Sequence, residues 1–309
     1  MDASSIDISL LISAMMIAAT PILLAALGEL VVEKTGVLNL GVEGMMIIGA
    51  ISGFATAVQT GSPLAGFTGA AVAGAVLSLL FAFLTQIALA NQVASGLALT
   101  LFGLGLSSLI GTNYDGLIPP ATAPLHIPLL ADIPVLGPML FQHDPMVYVT
   151  LLLTAAIWAL LKYSRMGMII RAVGENHDAA HALGYKVVRI RILAILFGGA
   201  CAGLGGAYLS LVRVPIWTEG MTVGAGWIAL AIVVFGAWRP WRVLVGAYIF
   251  SGASVLPFKL QAVGISIPVQ YLTMAPYLIT IIALVIISNS KSRASGAPAS
   301  LGKIFHASS

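Results

Sequence analysis

Charge is what this sequence has least of. Asp, Glu, Lys and Arg make up 8% of its 309 residues, against about 25% in an ordinary soluble domain. A soluble chain of this length could not cover its surface with so few polar groups. Cysteine is nearly absent as well. Cys201 stands alone inside an apolar run, which excludes an intrachain disulfide or a cysteine metal cluster and leaves a small packing residue. No hydrophilic stretch is long enough for a separate soluble domain. There is no Gly-x-x-x-x-Gly-Lys-Ser/Thr phosphate loop, so the chain does not hydrolyse ATP by that route. No Ser or Cys nucleophile has an obvious base beside it. The net charge of +3 does not point to nucleic acid either, because the basic residues sit in short loops rather than in a patch interleaved with aromatics.

What is present is apolar. Hydrophobic residues account for 59% of the chain and the mean hydropathy is +1.04, so lipid must be the solvent for most of it. Crossing the hydrocarbon takes ~20 residues of helix. Runs of that kind fall at about 8–27, 44–60, 63–89, 93–111, 146–162, 192–212, 223–237, 243–258 and 271–288. The expected fold is an all-α polytopic bundle of about nine (8–10) transmembrane helices in one domain, 1–290. A cytoplasmic tail, 291–309, is expected to be disordered. Asp2 and Asp7 precede the first run without a basic n-region or a clear cleavage site, so that run is expected to stay as a span.

The charges orient the bundle. The stretch 162–191 carries Lys162, Arg165, Arg171, Lys186, Arg189 and Arg191 against Glu175 and Asp178, and Arg239, Arg242, Lys291, Arg293 and Lys303 follow. The loop 112–145 is rich in proline and holds Asp115, Asp132 and Asp144 with no Lys or Arg. The basic segments therefore belong inside and 112–145 outside, where it should be irregular. Nine spans then put the N-terminus outside. Within the spans, Gly198-Gly199-Ala200-Cys201-Ala202-Gly203-Leu204-Gly205-Gly206-Ala207 places small residues on several faces of one helix, the mark of a close-packed central position.

Few polar residues interrupt this pattern. Glu29, Glu33, Lys34, Asn39 and Glu43 crowd the segment between the first two spans, with Glu29 and Glu33 spaced i, i+4 on one helix face. Two readings stand: a wet cytoplasmic loop, or a partly inserted, glycine-broken segment lining a solute path, where ionisable groups meet water or ligand. Asn91 and Gln92 form a second island, a pore lining or a polar turn. Glu219 lies in a third, and Glu219-Gly220-Met221 echoes Glu43-Gly44-Met45. The echo is either coincidence or the trace of an inverted repeat with a site near the midplane. His177 and His181, spaced i, i+4, read as a solvated helix face, since no third metal ligand stands out.

Two stretches carry a resemblance. Gly28-Glu29, with Glu33-Lys34-Thr35-Gly36-Val37-Leu38-Asn39-Leu40-Gly41-Val42-Glu43-Gly44-Met45-Met46, resembles the permeases of bacterial ABC importers for nucleosides, in the group that also serves branched-chain amino acids and simple sugars. Arg171-Ala172-Val173-Gly174-Glu175-Asn176, followed by Asp178-Ala179-Ala180 and Ala182-Leu183-Gly184-Tyr185, resembles that group's cytoplasmic loop, which contacts the ATPase. The resemblance implies a multi-pass inner-membrane subunit with no cofactor of its own. ATP would be hydrolysed by cytoplasmic partner subunits, beside a second permease chain and an extracytoplasmic solute-binding (lipo)protein. The polar islands themselves, read as path lining, make Asn39, Glu43, Asn91, Gln92 and Glu219 the candidate solute-path residues. The coupling loop would hold Arg171, Gly174, Glu175, Asn176, Asp178, Ala179, Ala180 and Gly184. From the residues alone an ion-coupled secondary transporter, with a glutamate as its ion site, stays open; an intramembrane enzyme lacks any convincing catalytic pair.

Overall fold

A computed structural model describes residues 8–125, 136–262 and 296–306 continuously, and scattered residues within 128–134 and 268–282. Ten α-helices lie among them: α1 (Ile8–Lys34), α2 (Val42–Thr60), α3 (Pro63–Ala82), α4 (Gln92–Gly111), α5 (Pro145–Tyr163), α6 (Arg165–Glu175), α7 (His177–Ala182), α8 (Val187–Tyr208), α9 (Ala225–Phe235) and α10 (Pro240–Ala262). There is no β-strand among the described residues. π-helical turns extend α3 through Phe83–Ile87 and α8 through Leu209–Arg213. Six helices are long and apolar enough to cross a bilayer, and α9 and α10 add shorter apolar ones. Eight of the nine expected spans are thus met by helices. The ninth, at 271–288, lies largely outside the described residues.

Polar caps set the helix starts. Ser62, Asn91, Asp144, Ser164 and Asn176 each accept a backbone N–H from the first turn of α3, α4, α5, α6 and α7, and Pro63 and Pro145 occupy the first position of α3 and α5. The α1–α2 break is different. Gly36 turns the chain at φ +85°, and α2 begins after Gly41 with no side-chain cap from its own first turn. The sequence ends the first span near residue 27, whereas α1 runs on to Lys34 and carries Glu29 and Glu33 inside the helix.

The ends of the bundle sort as the charges require. Lys34, Arg191, α6, α7 and residues 296–306 gather at one end. Glu33 there accepts the indole N–H of Trp238, which brings the α9–α10 turn to the same end. At the far end Gln59 donates to Tyr114, Ser108 to Glu219 and Tyr208 to Asp144. At the basic end Trp158 packs edge-on against Tyr163 and Trp241, with the Lys162 ammonium 5.0 Å from the rings of Trp158 and Tyr163. Such a cluster suits the water–lipid boundary.

Helix α8 is the centre, as its small residues suggest. It runs antiparallel to α1, with Gly198 beside Gly28 and Gly205 against the carbonyl of Pro21. A Cβ added at Gly199, Gly203, Gly205 or Gly206 would collide with a backbone carbonyl of α3, α3, α1 or α2. The packing repeats with reversed direction: α1 lies on α10 and α9 as α8 lies on α3 and α2. That is the arrangement an inverted repeat produces.

Residues 296–306 of the expected tail pack on the basic end, where Ser300 and Phe305 are buried; residues 291–295 and 307–309 lie outside the described residues.

Two measurements check this architecture. In a Cys201→Ala background, a cysteine at exposed position 118 should react with an impermeant thiol reagent on intact cells, and one at exposed position 183 should not. Gly203→Leu or Gly206→Val should cost about 1–3 kcal/mol or more from overpacking and sharply lower membrane abundance. Gly105→Ala, with nothing within 4 Å of the added Cβ, should accumulate normally.

Candidate functional site

The polar residues of the broken segment are drawn inward by α1. Glu29 and Glu33 lie one turn apart on α1 and are each 1% exposed. Glu29 accepts hydrogen bonds from the backbone N–H of Asn39 (3.2 Å) and from its Nδ2 (3.4 Å). Asn39 Oδ1 in turn accepts from the N–H of Gly41 at 2.9 Å. Glu33 holds Trp238, which like Ala237 has a positive φ (55° and 48°). A turn with two such non-glycine residues persists only where its surroundings fix it. One face of α1 thus anchors two non-helical segments, 35–41 and 236–239, without a Lys or Arg in ion-pair range of either carboxylate among the described residues.

Segment 35–41 re-enters the bundle alongside α4. The N–H of Leu38 donates to Gln92 Oε1 at 2.8 Å, the Leu40 carbonyl accepts from Thr100 Oγ1 at 3.2 Å, and Gly96 lies against the backbone of Leu40 and Gly41. Helix α2 therefore begins about two turns inside the basic end of α4 rather than level with it. Coming from the far side, residues 214–224 lead to α9, whose 11 residues span only about 16 Å. The two helix starts meet. Gly226 sits against the backbone of Glu43, and its N–H donates to Glu43 Oε2 at 2.8 Å. Glu43 is 3% exposed and serves as the cap that α9 lacks in its own sequence, its carboxyl oxygens facing the positive end of that helix. Glu43 Oε1 and the hydroxyl of buried Thr222 make no full hydrogen bond elsewhere in the protein, but the two groups lie close enough to act on each other, with the N–H groups of Gly224 and Trp227 also facing the carboxyl. A buried carboxyl and hydroxyl thus share the junction of two helix starts, with bonding capacity left over. That is what a polar solute or water can occupy.

The structure brings together three of the five sequence-derived path residues: Asn39, Glu43 and Gln92. Asn39 spends its side chain on Glu29 and Gly41, which makes it a strut of the segment. Asn91 is exposed and caps α4, the polar-turn reading. Glu219 sits at the far end on Ser108, in the segment leading to α9 and away from Glu43. Glu29, Glu33, Thr222 and Trp238 complete the site. The i, i+4 spacing marked the first two, but nothing in the local sequence singled out Thr222 or Trp238.

At the basic end, α6 buries Gly167, Ile170, Val173 and Gly174 and exposes Arg171 and Glu175. Asn176, Asp178, Ala179 and Gly184 are exposed, and Ala180 is buried. Gly184 adopts φ +88° with open space beside it, and its neighbour Leu183 is 76% exposed. Gly174 abuts the carbonyl of Lys34, so this charged, half-apolar face stands directly on the root of the broken segment. Among the described residues no group of three metal-ligating side chains forms around His177 and His181. They flank the ring of Phe305 instead.

Comparison with known proteins agrees with this picture. Residues 11–287 match the family described as branched-chain amino acid transport system / permease component. A putative glucose ABC transporter permease of Haloferax volcanii is 42% identical over 262 residues, covering 83% of this chain and 79% of that protein. A guanosine ABC transporter permease of Bacillus subtilis is 35% identical over 90% of this chain and 91% of its own length. A nucleoside ABC transporter permease of Lactococcus lactis is 32% identical over 90% and 92%. No solved structure matches significantly. These relatives are ABC permeases, and nothing among them supports an ion-gradient-driven carrier.

Glu43→Gln keeps an acceptor for Gly226 and should leave abundance near normal while lowering uptake by about tenfold, a loss of ~1.4 kcal/mol. Asn39→Ala strips Glu29 and Gly41 of partners, about 1–3 kcal/mol per unsatisfied group, and should reduce abundance itself. Quantitative immunoblots and uptake measured together separate the two, and normal uptake in Glu43→Gln would sink the path assignment.

Proposed function

The chain belongs to the permease-component family of branched-chain amino acid transport systems, and we propose that its path carries a neutral, hydroxyl-bearing solute, a nucleoside first and a simple sugar second. It is a multi-pass membrane subunit of an ABC transporter, a transport subunit rather than the ATPase, and works with ATPase and solute-binding partners. The observation that carries the solute reading is the buried Glu43–Thr222 pair at the α2–α9 junction, whose facing oxygens make no full hydrogen bond to the rest of the protein. A carboxylate oxygen accepts from solute hydroxyls or ring N–H groups, and Thr222 can give or take a further bond. An amino-acid solute would bring its own carboxylate, and among the described residues no Lys or Arg contacts Glu43 to receive it. The relatives named for glucose, guanosine and nucleosides are consistent with this choice.

The partner set follows from where the chain is finished and where it is not. No cofactor is held here; ATP binds to and is split by subunits docked on the α6–α7 face, whose exposed Leu183 and Tyr185 give an apolar centre within a charged rim. A second, different permease chain closes the other side of the path, and a binding lipoprotein delivers solute to the far end. Closure of the ATPases moves α6–α7 as a unit against the root of segment 35–41.

Two assays test this. Uptake of labelled guanosine by the assembled transporter should be competed by other nucleosides, less by glucose and not by leucine; competition by leucine alone would overturn the solute reading. Glu175→Lys and Asp178→Lys should each cut uptake and solute-stimulated ATP hydrolysis by about tenfold, the size of a typical inter-site coupling, with the chain inserted at normal abundance.

A further inference from the structure

The eleven residues 296–306 make a chain of contacts that the expected coupling loop does not account for. The Gly296 carbonyl accepts from Lys34 Nζ at 3.0 Å. Ser300 donates its backbone N–H to the Gly174 carbonyl at 2.9 Å and its hydroxyl to the Glu175 carbonyl at 3.2 Å. The Gly302 N–H donates to the Gly36 carbonyl at 3.1 Å, and Gly302 itself turns at φ +74°. The Lys303 carbonyl receives Arg191 Nη1 at 3.3 Å and Gln92 Nε2 at 3.5 Å. The segment then buries Phe305, 5% exposed, among Val173, Ala180 and Val187, with its ring 5.3 Å from that of His177 and 5.4 Å from that of His181.

These contacts join two things. Gly174, Glu175, His177 and His181 belong to the helix pair that faces the ATPase. Gly36 and Gln92 belong to the root of the broken segment, where Gln92 also accepts the Leu38 N–H. Arg191 ties the two groups together: it is fully buried, has no carboxylate in ion-pair range among the described residues, and donates to Thr35 O at 3.1 Å, to Lys303 O and to His177 Nδ1 at 3.2 Å. Nδ1 accepts only in a neutral imidazole, and burial together with the Arg191 charge holds His177 below the ordinary imidazole range. Most of these bonds run through backbone atoms, so the segment passes on displacement rather than recognising a side chain.

We propose that residues 296–306 form a transmission strap that ties the ATPase-facing helices α6–α7 to the root of segment 35–41, with Phe305 as the positioning residue that seats it. The proposal rests on the ABC-permease reading. When α6–α7 shift under the ATPase, Gly36 and Gln92 move with them through the strap, and Asn39 and Glu43 follow along the same segment. Without the strap, α6–α7 reach the segment where Gly174 meets the Lys34 carbonyl and through the His177–Arg191–Thr35 bridge, neither of which touches Gly36 or Gln92 through a hydrogen bond.

The test uses the complete transporter in proteoliposomes, reading ATP hydrolysis and uptake of labelled guanosine together. Wild type comes first: a complex that hydrolyses ATP and imports neither guanosine nor glucose defeats the functional reading without bearing on the strap. In an importing complex, Phe305→Ala should assemble, hydrolyse ATP at or above the wild-type basal rate, and import about tenfold less solute per ATP, within the usual range of inter-site coupling. Phe305→Leu, which keeps an apolar plug, should recover most of that ratio. Proportional loss of both activities in Phe305→Ala, an unchanged ratio, or failure of that complex to assemble would each assign the segment to folding alone and overturn the proposal. Removal of residues 296–309 provides the stronger version of the same measurement: an assembled complex with a wild-type ratio would end it.

Discussion

Every backbone N–H that leaves a helix inside lipid needs a partner, because hydrocarbon offers none. Among the described residues, helices break within the bundle at 35–41 and again before α9, and the polar layout around them answers that constraint. Glu29 takes the N–H of Asn39, Gln92 that of Leu38, Asn39 that of Gly41 and Glu43 that of Gly226. These four acidic or amide side chains are each aimed at a backbone donor. The carboxylates therefore need no cationic partners; their hydrogen bonds come from the chain's own interruptions.

Two kinds of packing result, with different mechanical character. Helix α8 meets α1, α2 and α3 at backbone distance at Gly199, Gly203, Gly205 and Gly206, where the nearest atom of the other helix is a carbonyl oxygen rather than a side chain that could change rotamer. Such contacts are bistable at best and do not yield gradually. By contrast, the start of α9 and the segment 35–41 are held by individual hydrogen bonds of modest net worth, about 0.5–1.5 kcal/mol each, and the stretch 296–306 by a set of such bonds together with buried Phe305. A transporter must open somewhere, and a solute path at the α2–α9 junction lies on the seam between the rigid block and the elements tethered to it.

Most of the architecture was legible in the sequence because lipid imposes a coarse code: apolar runs of fixed length, charges on one side, small residues where helices touch. The runs gave eight helices among the described residues, the basic loops sorted to one end, and the glycine-rich run at 198–207 lies at the centre. What failed did so for physical reasons. The first span was cut short at residue 27 because Glu29 and Glu33 look like surface residues; only the three-dimensional partners Asn39 and Trp238 make their burial affordable. Asn91 and Gln92 are adjacent yet have opposite fates, since one caps a helix outward while the other reaches in to Leu38. Beyond these, residues 296–306 reach the basic end through backbone bonds to Gly174 and Gly36, which no pattern of side chains records. Phe305, a lone aromatic near the end of the chain, was the one available hint.

The glycine contacts of α8 also bear on how this gene tolerates change. Glycine is specified by four codons that share their first two bases, so any substitution at either of those bases replaces it with a residue that carries a side chain or ends the chain. At Gly199, Gly203, Gly205 and Gly206 even the smallest of these, alanine, sets a Cβ against a carbonyl of another helix. Two of every three nucleotides in those codons are thus sites where a single error damages the bundle. Selection should leave this short stretch of DNA quieter than the coding sequence for the lipid-facing residues of α3 and α4, where one apolar side chain serves as well as another.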